Sequence, residues 1–346
     1  MTKSRAGFTL VEVMVSAAIS AFVIAGVFAF SAQEARLLGS TGEHLDLFQA
    51  GRATLTVLED DLRHAGGGIG QSHDGTFFGI THGNFAADGV SFNSRNHAIT
   101  LEAGTTVTDD IIVMSAVGGQ ASIANYNSGG ALEICAGSGI QDNELVVLRT
   151  PDSLSARSVV VHGVAAKACT AGVCVSGCEG MTFDGDLTYL SDSGAATTDY
   201  NGGEISGQLR RVVWFVEASD PDHPGIGSLR RAIFDNTHTC TARDQSCGDL
   251  IAENVESLQL QLWQWNTTTS AWVNVTNSAL RPDERIRVDI ELVIRARISD
   301  DREHDPAPLR LEPGTCIPAC NTKDRIRREV FRTSVEIKNS GRMALR

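Results

Sequence analysis

The feature that most constrains this chain is an apolar run close to its N-terminus. Behind a short leader that contains Lys3 and Arg5, the run extends from Phe8 to Phe30, and Glu12 is its only ionisable side chain. A helix rises about 1.5 Å per residue, so such a run is about 35 Å long, enough to cross a ~30 Å hydrocarbon layer. The basic leader predicts that the N-terminus stays on the cytoplasmic side.

Glu12 is the unusual residue of this run, because a carboxylate inside a membrane span is costly and normally has a partner. It stands about one turn into the run, where a charge is also tolerated near the membrane surface. A secretory signal cut near Ser31 and Ala32 is disfavoured, since the run exceeds the usual ~7–15 apolar residues. A plain single-span anchor explains the length of the run but not the residues that open it.

Those opening residues, Gly7–Glu12, read Gly-Phe-Thr-Leu-Val-Glu. With the basic leader before them and the apolar run after them, they resemble the class III signal of type IV prepilins and type II secretion pseudopilins. The resemblance implies that a prepilin peptidase cuts after Gly7, that Phe8 is then N-methylated, and that the apolar helix is retained. For Glu12 it implies a role in filament assembly, as the partner of the positively charged N-terminus of a neighbouring subunit. An ammonium opposes the dipole of its own helix, and two charges in apolar surroundings are tolerated as a pair.

The helical pattern continues to about His64, without proline. Leucine and phenylalanine recur on one stripe at Leu38, Leu45, Phe48, Leu55, Leu58 and Leu62. One long helix is therefore expected, with residues 8–30 in the membrane or filament core and residues 31–65 packed by their stripe on a globular head. Gly39, Gly42 and Gly51 each lower helix propensity by about 1 kcal/mol, and the run Ala65–Gly68 ends the helix.

The remainder, residues 66–346, is predicted to be a β-rich head, which makes the fold class α+β. Short runs of β character alternate with turn residues, at Gly89–Phe92, Ala98–Leu101, Ile111–Ser115, Leu145–Leu148, Val159–Val161, Leu209–Glu217 and Leu229–Phe234. Ser176–Gly207, rich in glycine, aspartate, serine and threonine, is interpreted as an extended loop region. Strict alternation predicts half-buried antiparallel strands at Ser257–Trp265, Arg285–Arg297 and Arg328–Asn339.

Two further stretches carry a narrower resemblance. Arg52–Gly66, which contains Leu-Glu-Asp-Asp-Leu-Arg-His-Ala-Gly, is similar to the same region of PilW-type minor pilins and of the J-type pseudopilin. The order of the C-terminal strands is similar to the end of PilW-type minor pilins, although Ile337–Asn339 replaces a more usual Leu-Arg-Asn string. The resemblance covers about the first 70 and the last 90 residues, and it implies a type IV pilin-like fold with a long helix on a largely antiparallel sheet.

All the cysteines follow the apolar run, at Cys135, Cys169, Cys174, Cys178, Cys240, Cys247, Cys316 and Cys320. An even number outside the cytoplasm predicts disulfides. Cys240 with Cys247 and Cys316 with Cys320 are close enough in sequence to pair locally, whereas the pairing of the first four stays open. No metal site is expected, because the spacing from Cys169 to Cys178 is not that of a zinc site.

No catalytic constellation is found in the sequence: it has no Gly-x-Ser-x-Gly, His-Glu-x-x-His or P-loop string. We therefore expect no enzyme activity and no cofactor. The net charge of −13 does not suggest nucleic-acid binding. Asp184, Asp186 and Asp192 are interpreted as solvated turn acids rather than a calcium site. Trp263 and Trp265 share the face opposite the leucines of their strand, which favours a second buried face or a partner-binding surface.

The family resemblance implies a structural role. A PilW-type minor pilin primes assembly of a type IV pilus, is incorporated at or near the tip, and links the fibre to other minor pilins and a tip adhesin. Its expected partners also include the major pilin, through the N-terminal helix, the prepilin peptidase and the inner-membrane assembly platform. The head would be periplasmic before assembly and extracellular afterwards. The alternative is a J-type minor pseudopilin at the tip of a type II secretion pseudopilus, whose head is usually smaller.

Overall fold

The computed structural model describes residues 9–69, 84–87, 90–93, 97–101, 104–118, 120–127, 131–151, 156–169, 174, 177–183, 188–189, 199–219, 224–234, 240, 242–243, 246–275, 285–296, 307–308, 316–317 and 325–337. They form one helix, α1 (Leu10–Arg63), and a series of strands. The strands are β1 (Asn84–Ala87), β2 (Val90–Asn93), β3 (His97–Leu101), β4 (Gly104–Thr108), β5 (Ile111–Val117), β6 (Ala121–Asn127), β7 (Ala131–Cys135), β8 (Leu145–Arg149), β9 (Ala156–Lys167), β10 (Cys178–Phe183), β11 (Thr188–Tyr189), β12 (Glu204–Ser219), β13 (Pro224–Phe234), β14 (Asp249–Glu253), β15 (Val255–Asn266), β16 (Ala271–Asn274), β17 (Ile286–Arg295), β18 (Ala307–Pro308), β19 (Cys316–Ile317) and β20 (Arg328–Glu336).

The chain divides into two compact units, Met1–Gln49 and Ala50–Arg346. In the first unit the described residues are helical from Leu10 onward. In the second, the last turns of α1 precede sheets whose described strand pairs are all antiparallel. A long apolar helix and a largely antiparallel head are compatible with the expected α+β, pilin-like fold.

The end of α1 follows from its glycines. The helix stops at Arg63, and Gly66 and Gly68 have φ of 74° and 72°, a left-handed conformation that glycine adopts at little cost. The turn then joins a sheet, because Gly66 N donates to Met114 O at 2.8 Å and Ala116 N donates to Gly67 O at 2.6 Å. The sequence prediction of the helix and its end is confirmed.

The larger sheet has ten strands and is centred on β12, which pairs with β5 and β6 along one edge and with β8 and β13 along the other. Its core is apolar: Ile112, Val213, Phe215 and Phe234 form one cluster, and each is 1% exposed or less. A second cluster, under β7 to β9, contains Ile134, Val146, Leu148 and Tyr200. The strands around β12 that alternation predicts are therefore present, although they are longer than expected.

The smaller sheet has the order β16-β15-β17-β20. The alternating residues of β17 (Ile286, Val288, Ile290, Leu292 and Ile294) are at most 1% exposed. The segment between β4 and β5 ties this sheet to the larger one: Asp109 N donates to Leu258 O at 2.7 Å, and Asp109 Oδ2 accepts from Leu260 N at 2.8 Å. The buried carboxylate of Asp109 thereby accepts a backbone hydrogen bond of β15 that a neighbouring strand would otherwise accept.

Three disulfides lie among the described residues. Cys240 and Cys247, expected to pair from their spacing, are joined, and Cys135–Cys174 and Cys169–Cys178 resolve the pairing that the sequence left open. The loop closed by Cys240–Cys247 carries Arg243, whose Nη2 donates to buried Asp110 at 2.6 Å. Burial lowers the pKa of Arg243, against the opposing effect of Asp110. The bridge expected between Cys316 and Cys320 lies outside the described residues, since Cys320 is not among them.

One expectation about the chain is corrected. Ser176–Gly207 is not wholly a loop, because β10 and β11 lie in it and β12 begins at Glu204. Its strand β10 pairs with β7 and β9 and is fixed at Cys178 by a disulfide, so tertiary pairing overrides its weak β pattern. In the second unit, the stripe residues Leu55, Leu58 and Leu62 are buried.

Gly51 has a packing role that its low helix propensity conceals. A Cβ built on Gly51 would lie 2.5 Å from the ring of Phe331, which is itself buried in β20. We expect Gly51→Ala to destabilise the protein by about 1–3 kcal/mol, because the overpacking outweighs the gain in propensity. Gly42 is the matched control, because the described residues place no other atom within 4 Å of an added methyl group there, so Gly42→Ala should not lower stability. Urea unfolding followed by circular dichroism compares the two variants, and equal midpoints would contradict the packing role.

Candidate assembly site

The N-terminal unit offers one surface, the apolar side chains of α1. Leu10–Ala35 is long and apolar enough to cross a membrane by length and composition, and none of its most apolar stretch is buried. Exposed phenylalanines recur along it, among them Phe22, Phe28 and Phe30. A helix that is apolar on all faces needs lipid or the helices of other subunits around it.

Glu12 lies at the start of this helix, where it forms a capping box with Thr9. Thr9 N and Thr9 Oγ1 donate to Glu12 Oε2 at 2.9 and 3.0 Å. Glu12 N donates back to Thr9 Oγ1 at 3.3 Å. This reciprocal pattern satisfies amide groups that the first turn of a helix leaves without partners. One carboxylate oxygen thus caps the chain's own helix, while Oε1 has no hydrogen-bond partner among the described residues.

Thr9 is the functional residue that sequence reasoning missed. The signal was present, since a threonine followed three residues later by a glutamate, just before an apolar run, is the pattern of a capping box. Gly7 and Phe8, the residues expected at the cleavage and methylation site, lie outside the described residues. So do Asp184, Asp186 and Asp192, the residues interpreted as turn acids.

In the second unit, Asp61 attaches the last turns of α1 to the larger sheet. Its Oδ2 accepts from Trp214 Nε1 at 2.9 Å and from Arg231 Nε at 2.7 Å, and its Oδ1 accepts from Arg231 Nη2 at 2.9 Å. Trp214 is fully buried, and Asp61 and Arg231 are 8% and 14% exposed. The hydrogen bonds to Asp61 raise the pKa of Arg231.

The other side of the same helical segment contacts the smaller sheet. Thr333 Oγ1 on β20 donates to Glu59 Oε1 at 2.6 Å, and Leu58 and Leu62 are fully buried. Residues of the string Leu58–Gly66, which carries the narrower resemblance, therefore fix the helix to both sheets and end it. Packing and hydrogen bonding within the head thus account for the residue types found in this string.

The tryptophans expected opposite the leucines of β15 stack against two arginines, Arg287 of β17 and Arg285 just before it. Trp265 and Trp272 are cross-strand partners with ring centroids 5.6 Å apart. The guanidinium of Arg287 lies 5.2 Å from the ring of Trp263 and 4.9 Å from that of Trp272. All three tryptophans are half-buried. This face is therefore a packed cation–π cluster as well as a partly accessible surface.

A cluster of cysteines has the geometry, but not the chemistry, of a metal site. The Sγ atoms of Cys169, Cys174 and Cys178 lie within 4.8 Å of one another. Each belongs to a disulfide, so none offers the thiolate that a metal ion requires.

Comparison with known proteins finds a match for the N-terminal segment alone. The pattern described as Prokaryotic N-terminal methylation motif matches residues 2–28, a span that contains Gly7, Phe8 and Glu12. No curated protein and no solved structure matches the chain. The chain thus carries a class III prepilin-like motif, which indicates a protein of the type IV pilin or pseudopilin kind, and the match does not extend to the head.

Proposed function

We propose that this chain is a structural minor pilin of the PilW type, cut after Gly7, N-methylated at Phe8 and incorporated at or near the tip of a type IV pilus. One observation carries the proposal: the apolar stretch of α1 up to Phe30 is exposed throughout and holds a single carboxylate, Glu12, in the first turn of the helix and within a prepilin motif. The partners that follow are the prepilin peptidase, the assembly platform, the major pilin, other minor pilins and a tip adhesin.

The geometry of Glu12 supports a role in assembly. Its Oε2 caps the helix of its own chain, and its Oε1 is left to accept a hydrogen bond from an ammonium. After cleavage the new N-terminus belongs to Phe8, adjacent to the capping residue Thr9. The ammonium of a neighbouring Phe8 placed in apolar surroundings would need such a carboxylate, because an unpaired charge is not tolerated there.

The proposed organisation follows from this role. Residues 1–7 form the leader peptide, residues 8–30 the membrane-spanning and filament-core helix, residues 31–65 the second half of the helix, and residues 66–346 the disulfide-bonded head. The protein first spans the inner membrane once, with the head in the periplasm, and later lies outside the cell in the pilus. A large head that has three disulfides among its described residues supports a pilus tip over a pseudopilus tip.

The experiment is detection of the protein in pili sheared from the cell surface, by antibody against the head. The expected result is a minor component of the pili, with gold particles at fibre ends. Gly7→Glu is the control, because it blocks cleavage and should keep the protein in the membrane. Presence of the wild type only in the membrane fraction of a strain with abundant pili would contradict the proposal. Its presence in a type II secretion pseudopilus instead would identify the alternative.

A further inference from the structure

A cavity lined by both apolar and polar residues lies in the head, between the turn that precedes β8 and the strand β12. Its volume is about 350 Å³, within the range of sites for small molecules. The polar residues that line it are Gln141, Asp142, Asn143, Glu144, Gln208 and Arg210. Leu145 and Leu209, which belong to the apolar core, line it as well. The cavity therefore combines a fixed apolar wall with a concentrated set of charges and amides.

The turn that forms one wall is held rigidly by β9. Asn143 N donates to Val161 O at 2.7 Å, and Val161 N donates to Glu144 O at 2.8 Å. Asp142 Oδ1 accepts from Val164 N at 2.7 Å. The turn includes Asn143 at φ 65°, a conformation that asparagine tolerates better than most residues. A preorganised wall of this kind lowers the entropic cost of binding a ligand.

Each carboxylate of the turn has capacity left for a ligand. Glu144 Oε2 accepts from Gln141 N at 3.0 Å, and Asp142 uses Oδ1 for Val164. The second oxygen of each has no hydrogen-bond partner among the described residues. Since a carboxylate accepts several hydrogen bonds, both groups are able to receive a donor from within the cavity.

Arg210 provides the opposite charge. Its side chain is half-buried on β12, and within the described part of the chain it makes no hydrogen bond or ion pair. The neighbouring arginines differ: Arg149 pairs with Glu204, and Arg230 pairs with Glu217. Arg210 thus lines the same cavity as two carboxylates. Among the described residues, however, no carboxylate oxygen lies within 4.0 Å of its guanidinium nitrogens, the limit for an ion pair.

We propose that this cavity binds a small zwitterion, an α-amino acid with a polar side chain. Its carboxylate binds the guanidinium of Arg210, which suits a planar, bidentate pair. Its ammonium binds the available oxygens of Asp142 and Glu144. A simple anion would face two carboxylates, and a simple cation would leave Arg210 without a partner. The amides of Gln141, Asn143 and Gln208 both donate and accept, which fits a polar side chain.

The test is isothermal titration of the purified full-length protein, in detergent, with three related probes. L-glutamine carries both charges, L-glutaminamide lacks the carboxylate, and N-acetyl-L-glutamine lacks the ammonium. We expect L-glutamine to bind at least about tenfold more tightly than either derivative, because each lacks a charge-assisted hydrogen bond. Arg210→Gln should abolish the preference over L-glutaminamide. Glu144→Gln, which retains an acceptor for Gln141 N, should reduce the preference over N-acetyl-L-glutamine.

Arg52→Gln is the matched control, because Arg52 is exposed on α1 and lines no part of the cavity; its affinities should equal those of the wild type. The proposal is overturned if the wild type binds L-glutamine no better than its derivatives, or binds none of them. It is equally overturned if Arg210→Gln and Glu144→Gln retain the wild-type preferences. This inference goes beyond the proposed pilus role, and its test requires no filament, so the two fail independently.

Discussion

Replacement of Glu12 by alanine is expected to remove the protein from surface filaments while its amount in the inner membrane stays the same or rises. Loss of the only charge in the apolar run makes membrane insertion easier. Loss of the same charge leaves the ammonium of a neighbouring subunit without a partner in apolar surroundings, which is strongly unfavourable. Quantitative immunoblots of sheared filaments and membranes measure both effects, and we expect a decrease of at least about tenfold in filaments.

The capping box separates the two functions of this carboxylate. Glu12→Gln retains a side chain that accepts from Thr9 N, as glutamine does in capping boxes, but it carries no charge. If assembly requires the charge, Glu12→Gln should lower the filament content almost as much as Glu12→Ala does. Thr9→Ala, which removes the threonine cap and keeps the charge of Glu12, should lower the filament content less than either Glu12 variant does. Glu34→Gln, a matched change on the same helix beyond the apolar core, should leave filament content unchanged. Normal filament content of Glu12→Ala would contradict the assembly role.

Asp61→Ala is expected to have the largest effect on the stability of the head. Asp61 is the acceptor for Trp214 Nε1 and for two nitrogens of Arg231. Without it, a buried indole N–H and a largely buried guanidinium lose their partner. Breaking a buried ion pair from one side costs about 3–5 kcal/mol. Urea unfolding of the detergent-solubilised protein should show this loss, and Asp61→Asn, which still accepts one hydrogen bond, should lie between the wild type and the alanine variant.

Asp60 provides the matched control for Asp61. It is the same residue type in the preceding position, but its side chain is 70% exposed and its contact with His64 spans 3.8 Å. Asp60→Ala should therefore change the stability by no more than about 0.5 kcal/mol. A similar loss for both variants would mean that the buried network does not fix α1 to the sheet.

The sequence was sufficient for the features that depend on local pattern. The long run to His64 predicted α1, its glycines predicted its end, and alternation predicted β15, β17 and β20. Features that depend on distant partners were not predictable. From the sequence, Gly51 is expected only to lower the helix propensity. In the structure, its lack of a side chain makes room for the ring of Phe331 in the last strand, β20.

The same limit applies to the candidate sites. Asp60 and Asp61 are the same residue type, and the sequence does not show that Trp214 and Arg231, distant in the chain, make Asp61 an anchor. Strands β6, β7 and β10 contain polar residues, and they are defined by their neighbours, and in β7 and β10 also by disulfides, rather than by their own propensity. Thr9 was predictable, because its pattern with Glu12 is local.

The measurement that tests the central claim most directly is mass spectrometry of the N-terminal peptide of the mature protein, isolated from cells that have the prepilin peptidase. The claim that residues 2–28 are a working prepilin signal predicts a chain that begins at Phe8, with one methyl group on its amine. In cells without the peptidase the chain should retain its leader. An N-terminus near Ala32, or a leader that is retained in both strains, would contradict the claim.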